Sequence, residues 1–188
     1  LSDSPEKADN DIADIQAMVS AIYRNIEMVD GYFSEYDLLN NFCYLYYNID
    51  GNVESIKTHL SGRSQKTDWI KQFFDNFLDL TQNAKSIIII KQSNVLLSNL
   101  FLIGNEANWK IILLVLACKG EFHSELVNNI LKLLEILCFK LKLGDYRSDH
   151  LPSYAKNYFN AINGYSINNL YEEVKKATIE GFKWYWNN

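Results

Sequence analysis

A chain of 188 residues, 48% hydrophobic and 22% charged, has the length and balance of a globular protein with one substantial core. The net charge of −5 is unevenly spread: residues 1–60 hold eleven acids and three bases, residues 61–188 twelve acids and fifteen bases, and neither part is basic enough to read by itself as a nucleic-acid footprint. The longest apolar run, Ile111 to Cys118, is eight residues, against the ~20 that a bilayer span needs, so no membrane partner is expected.

Only two prolines and eight glycines interrupt the chain, and its apolar residues recur at helical spacing. The expected fold is all-α, an irregular bundle of seven to nine helices. Residues 1–10 are polar, contain Pro5 and read as a disordered leader. From residue 11 to 188 the chain reads as a single helical domain. It opens at Leu1 rather than at a methionine, which suggests a piece of a larger protein.

Ile12, Ile15, Val19, Ile22, Tyr23 and Ile26 form one apolar stripe of a first helix, with Gly31 as its stop. Ser34 is the expected N-cap of a second helix, whose inward face is Leu38, Phe42, Leu45 and Tyr46. That helix should end at the turn Asn48-Ile49-Asp50-Gly51. A short helix through Val53, Ile56 and Leu60 follows. Asp68 is the expected cap of the next, which carries Trp69, Phe73 and Phe77 at i, i+4 spacing. Such a stripe reads as core, because a base-stacking platform needs interleaved basic residues.

Ile87 to Ile90 are four consecutive isoleucines with high strand propensity. No partner strand is evident elsewhere, so the run reads as the buried end of a helix. Val95 to Ile103 is a further apolar segment ending at Gly104, and Asn105 to Lys119 is apolar on nearly all sides, the signature of a central helix. Ser124 should cap a long helix through Leu126, Ile130, Leu134, Leu137 and Leu141, with Lys140 and Lys142 at the negative end of its dipole and Gly144 as its stop. Beyond the link Asp145-Tyr146-Arg147-Ser148-Asp149-His150-Leu151-Pro152, Ser153 should open a helix through Ile162. Ser166 should cap a last one, which ends in Phe182-Lys183-Trp184-Tyr185-Trp186.

Catalytic signatures are scarce. Cys43, Cys118 and Cys138 form no CxxC pair and read as small buried hydrophobes of a reducing compartment. No Asn-x-Ser/Thr sequon is present, in keeping with a cytoplasmic protein. The sequence contains no HExxH, EF-hand loop, GxGxxG or GxxxxGK element. No metal, cofactor or catalytic residue is therefore assigned. Asp149-His150-Leu151-Pro152 resembles the short acid-His-Ile-x-Pro element that opens some His-Asn-His nuclease domains. Such a domain also needs a downstream histidine or asparagine near a Gly-Asn-Leu turn, whereas here a helix follows and His150 is the last histidine. The stretch therefore reads as a structural link made by Gly144, Asp145, Arg147, Ser148, Asp149 and Pro152. In it the acids turn the backbone, Pro152 sits at a helix start, and the Arg147 fork is free to bind two acceptors.

One resemblance extends over roughly residues 68–176. Leu133, Leu134, Glu135, Phe139, Arg147, Ser148, Tyr154, Ala155, Phe159, Ser166 and Leu170 fit the pattern of the middle region of GmrSD-like proteins. These are bacterial proteins related to modification-dependent restriction systems. In that family a nucleotide-binding domain with a D-G-Q-Q-R motif precedes the helical region, and many members end in a His-Asn-His nuclease domain. Lys140 stands where the family usually has arginine, and neither D-G-Q-Q-R nor a complete nuclease motif is present. The resemblance implies a non-catalytic helical connector that positions neighbouring domains of its parent, with Lys132, Lys140, Lys142, Arg147 and Lys156 as candidate DNA contacts. The alternatives are a free-standing protein-interaction module, anchored by Phe182 to Trp186, and a small hydrolase centred on His150.

Overall fold

The computed structural model describes residues 5–49, 53–61, 67–104, 108–144 and 150–186, and among them every regular element is helical. In chain order these are α1 (Pro5–Val29), α2 (Glu35–Tyr47), α3 (Val53–Ser61), α4 (Thr67–Lys91), α5 (Val95–Ile103), α6 (Trp109–Cys118), α7 (Glu125–Gly144), α8 (Leu151–Phe159) and α9 (Ile167–Trp186). Single 3₁₀ turns, Glu121–His123 and Ile162–Gly164, precede α7 and α9. The chain is an all-α, multi-helix protein. By backbone contacts it divides into two compact units, Leu1–Lys85 and Ser86–Asn188.

In the first unit α1 begins at Pro5, inside the stretch read as a leader, and ends where Gly31 takes a φ of +82°. The amides of Tyr32 and Phe33 both return to the Val29 carbonyl. Ser34 caps α2 as expected, its hydroxyl accepting the Asp37 amide at 3.0 Å. Asn48 closes α2 in the left-handed region at φ 57°. The core is Ile22, Ile26, Val29, Phe33, Leu38, Phe42, Leu45, Phe73, Phe77, Leu80 and Ala84. Phe42 meets Phe73 edge-on at 5.1 Å and Phe77 at 4.9 Å, so the aromatic stripe of α4 is core packing. Among the described residues, polar links join α1 to α4. The Asn25 amide donates to the Thr81 hydroxyl at 3.2 Å inside the core. At the surface, Lys71 reaches Asp11 at 2.5 Å and Asp14 at 3.2 Å.

Helix α4 begins at Thr67, so Asp68 lies in its first turn, where a carboxylate suits the dipole, and is not the cap. The helix continues unbroken through the isoleucine run to Lys91, its last residues belonging to the second unit. Ile87 is fully buried and Ile89 exposed, the alternation of a helix with one inward face.

In the second unit α6 is the inner helix: Trp109 and Ile111 through Leu116 are all buried. It packs on α8, while α7 packs on both α5 and α9, and α8 on α9. Asn94 caps α5 by accepting the Leu97 amide at 3.1 Å, and Ser124 caps α7 by accepting the Val127 amide at 3.3 Å. At the start of α9 the cap is reversed. Asn169, three residues in, accepts both the Ser166 amide (2.9 Å) and the Ser166 hydroxyl (2.7 Å). Helix α8 starts at Leu151 with Pro152 in its first turn, two residues before the expected Ser153. It ends at Phe159, where the chain turns through Ala161 at φ 47° and Asn163 at φ 54°. No single described helix is long and apolar enough to cross a membrane.

Candidate functional site

The sequence directs attention to the C-terminal half of α7 and the link that follows it. Helix α7 is described as far as Gly144, and α8 opens with Pro152 in its first turn, as a start signal would place it. Asp145, Arg147, Ser148 and Asp149 lie outside the described residues. His150 occupies the N-cap position of α8 with helical backbone angles and makes no side-chain cap bond. It is exposed, and its ring stacks on Tyr154 with centroids 6.3 Å apart. A capping serine or aspartate would do more for the helix, so His150 is placed by its neighbours rather than by a capping role.

The lysines read as DNA contacts fall into two groups. Lys140 and Lys142 turn back to the protein. The Lys140 ammonium donates to the Thr178 carbonyl of α9 at 3.0 Å. The Lys142 ammonium donates to the carbonyl of Ile103, the last residue of α5. Each cation thus lies on a main-chain oxygen of a neighbouring helix, and Lys142 meets the negative end of the α5 dipole. Lys132 is exposed on α7 and Lys156 half-buried on α8. Arg147 is outside the described residues.

Further polar links converge on α7. Asn99 of α5 donates to the Glu135 carboxylate at 2.7 Å. The buried Thr178 hydroxyl bonds to the Val174 carbonyl at 2.7 Å and to the Leu133 carbonyl of α7 at 3.3 Å. Helix α7 is therefore tied to α5 on one flank and to α9 on the other. Sequence reasoning missed these links because their partners lie 36 to 45 residues apart. Thr178, a polar residue in line with Leu170 and Val174 on the inner face of α9, was the available signal.

A second polar cluster lies on α8 and the turns beside it. The Tyr158 hydroxyl donates to Glu121 at 3.3 Å. Burial first, and the Glu121 carboxylate second, push the Tyr158 phenol up to about 12. Burial likewise raises Tyr165 to about 12, helped by Glu173 and Tyr154. Cys43 and Cys138 are buried and Cys118 is half-buried, all three as free thiols. Burial raises the Cys43 thiol to about 11. A thiol so protected is a poor nucleophile. Among the described residues no three His, Cys, Asp or Glu side chains converge on a common point.

No family model, curated protein or solved structure matches the chain.

Proposed function

We propose that the chain is a non-catalytic helical connector, of the kind that joins the nucleotide-binding and nuclease domains of GmrSD-like restriction proteins. The observation that carries this reading is the use of Lys140 and Lys142. Both ammonium groups lie on main-chain carbonyls of neighbouring helices, which is how a framework holds helices at fixed positions. The Asn99–Glu135 and Thr178–Leu133 links serve the same end. DNA contact, the finer part of the reading, rests more on Lys132, Lys156 and Arg147 than on the two lysines turned inward. A free-standing interaction module is the second reading, favoured by exposed apolar side chains on α7.

The test is direct. Purified chain is incubated with supercoiled plasmid and magnesium, manganese or zinc, and separately with nucleoside triphosphates. The connector reading expects neither strand cleavage nor phosphate release. Metal-dependent cleavage that is lost in His150→Ala would replace it with the nuclease reading.

A further inference from the structure

Helices α8 and α9 are joined by a turn whose backbone is left-handed at Ala161 (φ 47°), Asn163 (φ 54°, ψ 33°) and Gly164 (φ 75°). Glycine takes this region freely and asparagine tolerates it, whereas alanine does so under strain. Main-chain bonds close the turn. The Gly164 amide donates to the Ala161 carbonyl at 3.1 Å, and the Tyr165 amide donates to the Ile162 carbonyl at 3.0 Å. Residues 161–164 are all exposed.

Asn163-Gly164 is the one Asn-Gly step in the chain. At such a step the glycine nitrogen can attack the preceding carboxamide with no side chain in its way. Among the described residues nothing lies within 4 Å of the place a Cβ would take at Gly164, and no hydrogen bond holds the Asn163 carboxamide. Its neighbours differ. The Asn160 carboxamide donates to the Lys156 carbonyl at 3.2 Å, and that of Asn169 accepts from Ser166 at 2.9 and 2.7 Å. Each of those is also followed by a residue with a side chain, Ala161 and Leu170. One feature opposes reaction at Asn163: the Gly164 nitrogen must give up its proton to attack, and that proton is donated to the Ala161 carbonyl.

We propose that Asn163 is a site of spontaneous deamidation whose rate is set by opening of the α8–α9 turn. The Gly164 nitrogen loses its proton to solvent and bonds to Cγ of Asn163. The Cγ–Nδ2 bond breaks, and the nitrogen takes a proton from solvent and leaves as ammonia. The cyclic imide that remains takes up one water at either carbonyl. Opening on one side gives aspartate; opening on the other gives β-linked aspartate, whose main chain is longer by a methylene. Both products place a carboxylate just before Ser166 and the start of α9, where the helix dipole favours it. Aspartate tolerates the left-handed region and keeps the turn. The β-linked product lengthens the turn and loosens the entry to α9. The change runs one way, so the turn records the age of the chain. The inference goes beyond the connector reading and does not rest on it.

The test incubates the full chain at mildly alkaline pH, in native buffer and in guanidinium chloride. The tryptic peptide Asn157–Lys175 is followed by mass spectrometry, with electron-transfer fragmentation to tell the two products apart. Both should form at Asn163, and the native rate should lie about tenfold to about a thousandfold below the denatured rate, the span of a local opening. Ala161→Gly relieves the strained position and should slow the native reaction about threefold. Ala161→Val, whose branched side chain fits the left-handed region poorly, should speed it about threefold or more. Neither variant should change the rate in guanidinium chloride, which separates the turn from the chemistry. Should Ala161→Val fold poorly, the glycine variant still decides. No product at Asn163 in the denatured chain overturns the site. A native rate outside the stated range, or one unmoved by Ala161→Gly, overturns control by the turn.

Discussion

Lys140 and Thr178 bind each other's helices in both directions. The lysine donates to the threonine carbonyl at 3.0 Å, and the one proton of the threonine hydroxyl is shared between the Val174 carbonyl of its own helix at 2.7 Å and the Leu133 carbonyl of α7 at 3.3 Å. The pair is a polar pin in an otherwise apolar seam, since Val174 and Leu170 on the same face of α9 are fully buried. Replacing Thr178 by valine keeps the volume and leaves the Leu133 carbonyl without this donor. The expected cost is about 1 kcal/mol, read from the urea midpoint. Lys140→Met keeps the apolar stem and should cost a similar ~1 kcal/mol. The double variant should cost less than the sum of the two, because the side chains share one seam. An unchanged midpoint for Lys140→Met, with weakened DNA binding, would return Lys140 to the surface.

Much of the helical order was legible in the sequence, and the reasons differ by place. Ser34, Ser124 and Gly31 act through their own neighbours in the chain, so a local reading finds them. The Ile87–Ile90 run was legible only by elimination, since its strand propensity is overruled by continuity with α4 and by burial of Ile87. The start of α8 was misjudged by two residues because Ser153 looks like a cap. In the structure its hydroxyl donates to the His150 carbonyl at 2.8 Å from within the first turn. The roles of Lys140 and Lys142 were not legible, because their acceptors lie on helices 38 and 39 residues away. Net charge marks a lysine as a possible phosphate contact; only the fold shows which carbonyl it meets.

His150 is exposed and makes no cap bond, so His150→Ala should change stability by less than about 0.5 kcal/mol. Arg147, on the sequence reading, pins the link with its planar fork, and Arg147→Ala should cost about 1–3 kcal/mol by stranding its acceptors. Thermal melting of the two variants side by side checks both values. A His150→Ala loss as large as that of Arg147→Ala would mean the stack on Tyr154 holds the α8 start.

The thiols should separate by burial. Cys118 is half-buried, whereas Cys43 and Cys138 are buried and burial pushes Cys43 up to about 11. At pH 8 in native buffer, a colourless alkylating reagent should modify Cys118 first, with Cys43 and Cys138 following only at the rate of unfolding. Mass spectrometry of digested samples over time gives the order. Early modification of Cys43 would mean that the first unit opens locally around α2.

Alkali should destabilise the second unit through Tyr158. Its phenol is raised from 10.0 to about 12 by burial and by Glu121, so the folded state holds the proton to higher pH than the unfolded chain does. The sign follows from proton linkage: below pH 10 both states are protonated and the contribution is complete. Between pH 10 and about 12 the unfolded chain ionises first, and stability falls as pH rises. Tyr165, raised to about 12 by burial and by Glu173 and Tyr154, adds a loss of the same sign in the same window. Tyr158→Phe removes one of the two groups and also the 3.3 Å bond to Glu121. Near neutrality the variant should be less stable than the parent by about 1 kcal/mol, the worth of that bond. Above pH 10 the gap should narrow, because the parent loses stability that the variant no longer has to lose. Urea midpoints measured at intervals from pH 8 to pH 11, bracketing the ionisation at 10.0, check this. A gap that widens with pH would show that the Tyr158 hydroxyl is not held protonated against Glu121.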